Sequence, residues 1–139
     1  MKILIICTGN TCRSQMVEGF LKSANKELQV FSAGIHPEDE VNRFAVKAMK
    51  EINIDISNQK PKAVENFANE SFDFVITVCD YAREHCPNFS QKVNQRLHIA
   101  FADPAKAQGT QEQILEVYRK TRDAIVDTFS EFLDYQINR

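Results

Sequence analysis

KILIICTGNTCRSQMVEGFLKSA, residues 2–24, changes its hydrophobic rhythm twice. KILII, residues 2–6, is a short and nearly continuous apolar run, the pattern of a strand buried on both faces of a parallel sheet. From Arg13 to about Ala24 the spacing becomes helical, with Val17, Phe20, Leu21 and Ala24 following i, i+3, i+4 and i+7. Between them lies CTGNTCRS, residues 7–14. Strand, tight loop and helix make the opening unit.

A loop running from a strand into a helix N-terminus aims successive backbone N–H groups at one point, and the helix dipole adds positive potential there. Gly9 lets the backbone turn without a Cβ clash, and Asn10 is one of the few non-glycine residues that tolerate positive φ. Residues Thr8, Gly9, Asn10, Thr11, Cys12, Arg13 and Ser14 thus read as an anion nest. A nucleotide P-loop needs a second glycine and a lysine that this stretch lacks, which disfavours nucleotide binding. What it has is C-x5-R, with Cys7 at the start of the nest and Arg13 at its end. Donors that hold an oxyanion also hold a thiolate, so Cys7 is expected to have a lowered pKa, within the roughly 3.5–7.5 span of activated cysteines. Arg13 offers a planar fork for two equatorial oxygens, where a lysine would offer a point charge. The Ser14 hydroxyl either donates to the Cys7 sulfur or caps the helix; both readings stand. Cys12 reads as a small packing side chain.

Outward from this unit, LQVFSAG (28–34) reads as a second strand and HPEDE (36–40) as an exposed loop. Asn42 is placed to cap a helix whose apolar face is Ala45, Ala48, Met49 and Ile52. Pro61 is placed to open another short helix across Val64 and Phe67. FDFVITV (72–78) and RLHIAF (96–101) are the third and fourth strands, and a long amphipathic helix closes the chain from about Gln111 to Leu133. Alternating strands and helices predict an α/β fold: a single domain over 1–139 with a four-stranded parallel sheet and helices on both faces. Cys7, Cys79 and Asp103 each follow a predicted strand, so all three should emerge on one rim of the sheet.

The 139 residues are 43% hydrophobic, enough for one core. A net charge of −2 argues against nucleic-acid binding, which needs a basic surface. The leading apolar run is too short for a signal peptide or a membrane span, so a soluble, cytoplasmic protein is expected, with no membrane contact. Four cysteines in a reducing compartment point to nucleophilic or redox chemistry more than to a structural framework. The spacing of Cys79 and Cys86 does not suit zinc, and no metal is expected. His36, His85 and His98 have no partner legible in the sequence; His98, alternating within RLHIAF, reads as structural.

CTGNTCRSQMVEGF, FSAGI and ADPA together resemble the low-molecular-weight protein tyrosine phosphatase superfamily, and within it the thioredoxin-coupled arsenate reductases. The resemblance spans nearly the whole chain. It implies a thiolate attack by Cys7 on a tetrahedral anion and Asp103, before Pro104, as the acid that protonates the leaving oxygen. For a reductase it further implies that Cys79 attacks the Cys7 adduct and releases arsenite. Cys86 then attacks Cys79 and presents the disulfide to thioredoxin. Arsenate and thioredoxin are the partners so implied, with no tightly bound cofactor; a monomer is expected. DPAKAQ lacks the tyrosines that the tyrosine phosphatases of this superfamily carry after the D-P pair, which suits a small inorganic anion. Hydrolysis of phosphate monoesters through a phosphocysteine is the second reading, with weak phosphatase activity as a side reaction of the first. A non-catalytic oxyanion-binding or redox-sensing module is the third.

Asn10, Glu18 and Ser32 match positions that help form a potassium site in some reductases of the family. Where those members place an aspartate, this chain has Lys62, whose ammonium either stands in for the metal ion or is a solvated surface charge.

Overall fold

The computed structural model describes residues 1–138. Strand β1 (Lys2–Cys7) carries the opening apolar run and is buried from Ile3 to Cys7. Helix α1 (Arg13–Ala24) follows, then β2 (Gln29–Gly34). Helix α2 (Arg43–Lys50) starts at Asn42, whose side chain accepts from the Phe44 N–H. Strand β3 (Phe72–Thr77), helix α3 (Asp80–His85), strand β4 (Val93–His98) and helix α4 (Gln111–Phe132) complete the order. Thr110 and Gln113 close a capping box at the start of α4, and a π turn extends that helix over Leu133–Ile137.

All four strands are parallel, in the order β2-β1-β3-β4. The chain steps outward from β1 to one side and returns past it to β3 and β4. With right-handed crossovers, the connections on the two sides cover opposite faces of the sheet, as the alternating pattern predicted. The core joins Ile3–Ile6 of β1, Phe74–Ile76 of β3, Met16, Val17 and Leu21 of α1, Met49 of α2 and Tyr118, Ile125 and Phe129 of α4. Among the described residues no helix is long and apolar enough to cross a membrane.

Three expectations need correction. Strand β4 runs three residues earlier than RLHIAF: Phe72 pairs with Val93 and Thr77 with His98. It is an edge strand whose Asn94, Gln95 and Arg96 face solvent, so it needs no apolar run to mark it. The short helix after Pro61 is a 3₁₀ turn that begins at Val64, because Ala63 is still extended and bridges to Gly34. Ile52 lies beyond the end of α2. The polar stretch DYAREH, for which the sequence predicts no element, forms helix α3 between the two later cysteines.

Candidate active site

The C-terminal ends of β1, β3 and β4 open onto a cavity of about 540 Å³ lined by Cys7, Arg13, Cys79 and Asp103 among others. Parallel strands leave their carboxyl ends on one rim, and four chain segments distant in sequence meet there. The loop after β1 folds back on the Cys7 sulfur. Asn10 sits at φ 57°, in the left-handed region, and its N–H reaches the Cys7 Sγ at 3.2 Å. Gly9 does not have positive φ; a Cβ there would instead meet the Glu38 carboxylate at 2.5 Å. Gly34, at the end of β2, allows the loop to lie close, since a Cβ would come within 2.6 Å of the Thr8 carbonyl oxygen.

Ser14 resolves in favour of the sulfur. It makes no cap, and its Oγ lies 2.8 Å from Cys7 Sγ. The Asn10 Nδ2 donates to that same Oγ at 2.7 Å, which leaves the hydroxyl proton free to point at the sulfur. Burial nevertheless pushes the Cys7 thiol up, outweighing the Ser14 hydroxyl, the Ser14 and Asn10 amides and the Arg13 guanidinium, which all pull it down. The expected net lowering is therefore not found: Cys7 is 3% exposed, and desolvation acts on the charged form more strongly than the donors around it.

Arg13 donates from Nη1 to the Phe101 carbonyl at 3.0 Å and faces the Asp103 carboxylate at 3.7 Å from Nη2. Asp103 in turn accepts from the Ala105 N–H, and Pro104 opens a 3₁₀ turn behind it. Cys79 lines the same cavity, its Sγ 3.3 Å from the Thr8 hydroxyl. Cys86 does not: it lies at the far end of α3, in a separate cavity of about 220 Å³ beside Arg83, Arg96 and His98. All four cysteines are free thiols. Cys12 is buried against the Tyr118 hydroxyl and also lines the cavity, and burial pushes its thiol up.

Residues 2–139 match the family model of the low molecular weight phosphotyrosine protein phosphatases. The chain belongs to that family. An arsenate reductase of Halalkalibacterium halodurans is 45% identical over 133 residues, covering 93% of this chain and 94% of its own. An arsenate reductase of Bacillus subtilis is 43% identical over 133 residues, covering 95% and 94%. A solved arsenate reductase in its phosphate-binding state superposes with a TM-score of 0.77 at 29% identity, covering 96% of both chains.

Beside the nest of this phosphatase-family chain, Asn10, Glu18, Ser32 and Lys62 come together. Asn10 Nδ2 donates to Ser32 Oγ at 2.9 Å, and Ser32 Oγ donates to the buried Glu18 carboxylate at 2.5 Å. The ammonium groups of Lys22 and Lys62 lie 2.5 and 3.8 Å from the two oxygens of Glu18. Lys62 is thus not a fully solvated charge, and burial lowers its pKa against the pull of Glu18.

Sequence reasoning missed Gln15, which is fully buried and donates to the Asn10 carbonyl and side-chain oxygen while receiving the Gln59 amide. A polar residue directly after the nest was the available signal. It also missed His36, Glu38, Tyr81 and Lys106 on the cavity wall, which arrive from loops and from α3 with no local motif.

Proposed function

We propose that this chain reduces arsenate to arsenite with Cys7, Cys79 and Cys86, and that a thioredoxin dithiol reduces the disulfide it forms. One observation carries the reading: a second thiol, Cys79, shares the cavity of the nest thiol and is held at the Thr8 hydroxyl. Hydrolysis of a phosphate monoester would use Cys7, Arg13 and Asp103 and leave that thiol without a task. The arsenate reductases of H. halodurans and B. subtilis, alike over nearly their whole length, support the same choice.

In the first step the Cys7 sulfur bonds to arsenic while the nest amides and the Arg13 fork hold the oxyanion. An As–O bond breaks and water leaves, protonated with the help of Asp103. Cys79 then attacks Cys7 Sγ. The S–S bond forms, the S–As bond breaks, and its electron pair stays on arsenic, which leaves as arsenite. Cys86 next attacks Cys79 Sγ and Cys7 departs as the thiolate, with no net redox change. Two electrons from thioredoxin reopen the Cys79–Cys86 disulfide. The Lys62 and Lys22 ammonium groups neutralise Glu18 where other members hold potassium, so exchanging sodium for potassium should leave the rate unchanged.

The test is arsenate reduction coupled to thioredoxin, thioredoxin reductase and NADPH, run beside hydrolysis of an aryl phosphate. Cys7→Ser abolishes both activities; Cys79→Ser and Cys86→Ser abolish only multiple-turnover reduction; Asp103→Asn slows the first step. Wild-type thioredoxin-coupled turnover by Cys86→Ser would overturn the relay, and a several-fold rise in potassium would overturn the role given to Lys62.

A further inference from the structure

The chain has three histidines, and all three touch α3, the helix between Cys79 and Cys86. His85 lies within it and stacks on Tyr81 at 3.9 Å between ring centroids. His36 reaches the Tyr81 hydroxyl from the loop after β2, at 2.9 Å. His98 makes the contact that matters most for the thiols. From the end of β4 its Nε2 lies 2.9 Å from Asp80 Oδ1, the first residue of α3 and the neighbour of Cys79.

The imidazole is itself fixed from behind. Its Nδ1 lies 2.8 Å from the hydroxyl of Thr77, its register partner at the end of β3. Carboxylates only accept, so Nε2 carries the proton toward Asp80, and in the neutral ring Nδ1 accepts from the Thr77 hydroxyl. Thr77, His98 and Asp80 thus form one chain of hydrogen bonds from the rigid edge of the sheet to the first turn of α3. That turn is closed by the Arg83 N–H on the Cys79 carbonyl at 3.2 Å.

Helical rise separates Cys79 and Cys86 by about 10 Å along α3. A disulfide needs Cα atoms within roughly 7 Å. The helix must therefore unwind before Cys86 can reach Cys79, and whatever pins its first turn opposes that motion while keeping Cys79 at the cavity. We propose that His98 is a positioning residue for the two later thiols: through Asp80 it holds Cys79 beside the nest, and release of that contact is required for Cys86 to take over the disulfide. This rests on the relay proposed above. The transfer itself is balanced: the Cys86 thiolate attacks Cys79 Sγ, the Cys79–Cys86 bond forms, the Cys7–Cys79 bond breaks, and its electron pair leaves with Cys7.

The two steps should respond with opposite sign, which a residue that only stabilises the fold would not produce. In the fully reduced protein, amide hydrogen exchange over residues 81–85 and alkylation of Cys86 by iodoacetamide are measured for wild type, His98→Ala, Asp80→Ala, the double variant and His98→Gln. Asp80 is a solvent-exposed residue, so Asp80→Ala removes the contact without disturbing the sheet, together with the 3.9 Å pair that its carboxylate makes to Arg83 within α3. Each single alanine variant should speed exchange and alkylation several-fold, the double variant no more than either single, and His98→Gln, which keeps a donor, should lie near wild type. With the Cys7–Cys79 disulfide preformed by an azodicarboxamide oxidant, both alanine variants should pass it to Cys86 several-fold faster. In arsenate single turnover both should form Cys7–Cys79 several-fold more slowly. Unchanged exchange over 81–85, additive effects in the double variant, or two steps that slow together would overturn the inference. If no protein, wild type included, forms a Cys79–Cys86 disulfide while exchange still responds, the relay fails and the positioning role fails with it.

Discussion

Asn10 is fully buried, yet every polar group it carries is used. Its side-chain oxygen accepts from the Lys62 N–H and from Gln15, its amide donates to Ser14 and Ser32, and its own N–H reaches Cys7. A buried network satisfied at each member fixes one geometry, which is how a loop of small residues keeps its donors aimed at one sulfur. Ser14 is the member whose proton faces that sulfur. Ser14→Ala should push the Cys7 thiol further up, because burial would then act against one donor fewer. The pH profile of Cys7 alkylation, read by mass spectrometry, should move to higher pH and the rate at neutral pH should fall several-fold; an unmoved profile would remove Ser14 from the electrostatics. At this scale Cys7, Asn10, Arg13 and Ser14 were legible, because a nest is built from consecutive residues. The direction of the Cys7 shift was not, because burial depends on what the rest of the chain stacks over the sulfur.

Helix α1 shows how an element can serve two purposes. Its apolar stripe buries Met16, Val17 and Leu21, while Ser14, Gln15 and Glu18 are buried as well, turned toward the nest and its cationic neighbours. Helices α2 and α4 are joined by a different device, an ionic cluster. Arg119 and Arg122 of α4 both reach Glu51, just past the end of α2, at 2.8 and 2.7 Å. Hydrogen bonds from Arg119 and Arg122 hold the Glu51 carboxyl down at about 2. A carboxylate with a lowered folded-state pKa contributes stability that is fully present above its unfolded value of about 4.3 and disappears as pH falls through the folded one. Thermal melts of wild type and Glu51→Gln should differ at neutral pH and converge as pH falls from about 4.3 toward 2; salt should narrow the gap, since the pair is partly exposed. Persistence of the gap in acid would mean that packing, not charge, joins the two helices. Helices α1, α2 and α4 could be read from apolar spacing and caps, whereas α3 is six residues long with only Ala82 buried, too little periodicity to reveal it.

Across the whole molecule, core and site are mechanically continuous. The Phe129 ring of α4 packs 6.2 Å from that of Phe101 and 5.8 Å from that of Phe132, which meets Phe74 of β3 at 5.1 Å. The carbonyl of Phe101 is the one that receives Arg13. Phe129→Ala should cost about 3–5 kcal/mol in urea unfolding, the range for a buried phenylalanine, and should also weaken anion binding because Phe101 loses its support. A stable variant with unchanged phosphate affinity would separate the core from the site. The sequence alone determined the parallel α/β architecture and the tight loop that returns Asn10 and Ser14 to the Cys7 sulfur, since these follow from hydrophobic period and from residues adjacent in the chain. Only the tertiary structure decided that Cys79 stands at the Thr8 hydroxyl, that Cys86 lies outside the cavity, and that the histidines converge on α3. Apart from the stacking of His85 on Tyr81, those contacts join residues 18 to 71 positions apart, and their geometry is set by strand register and packing, which no local pattern encodes.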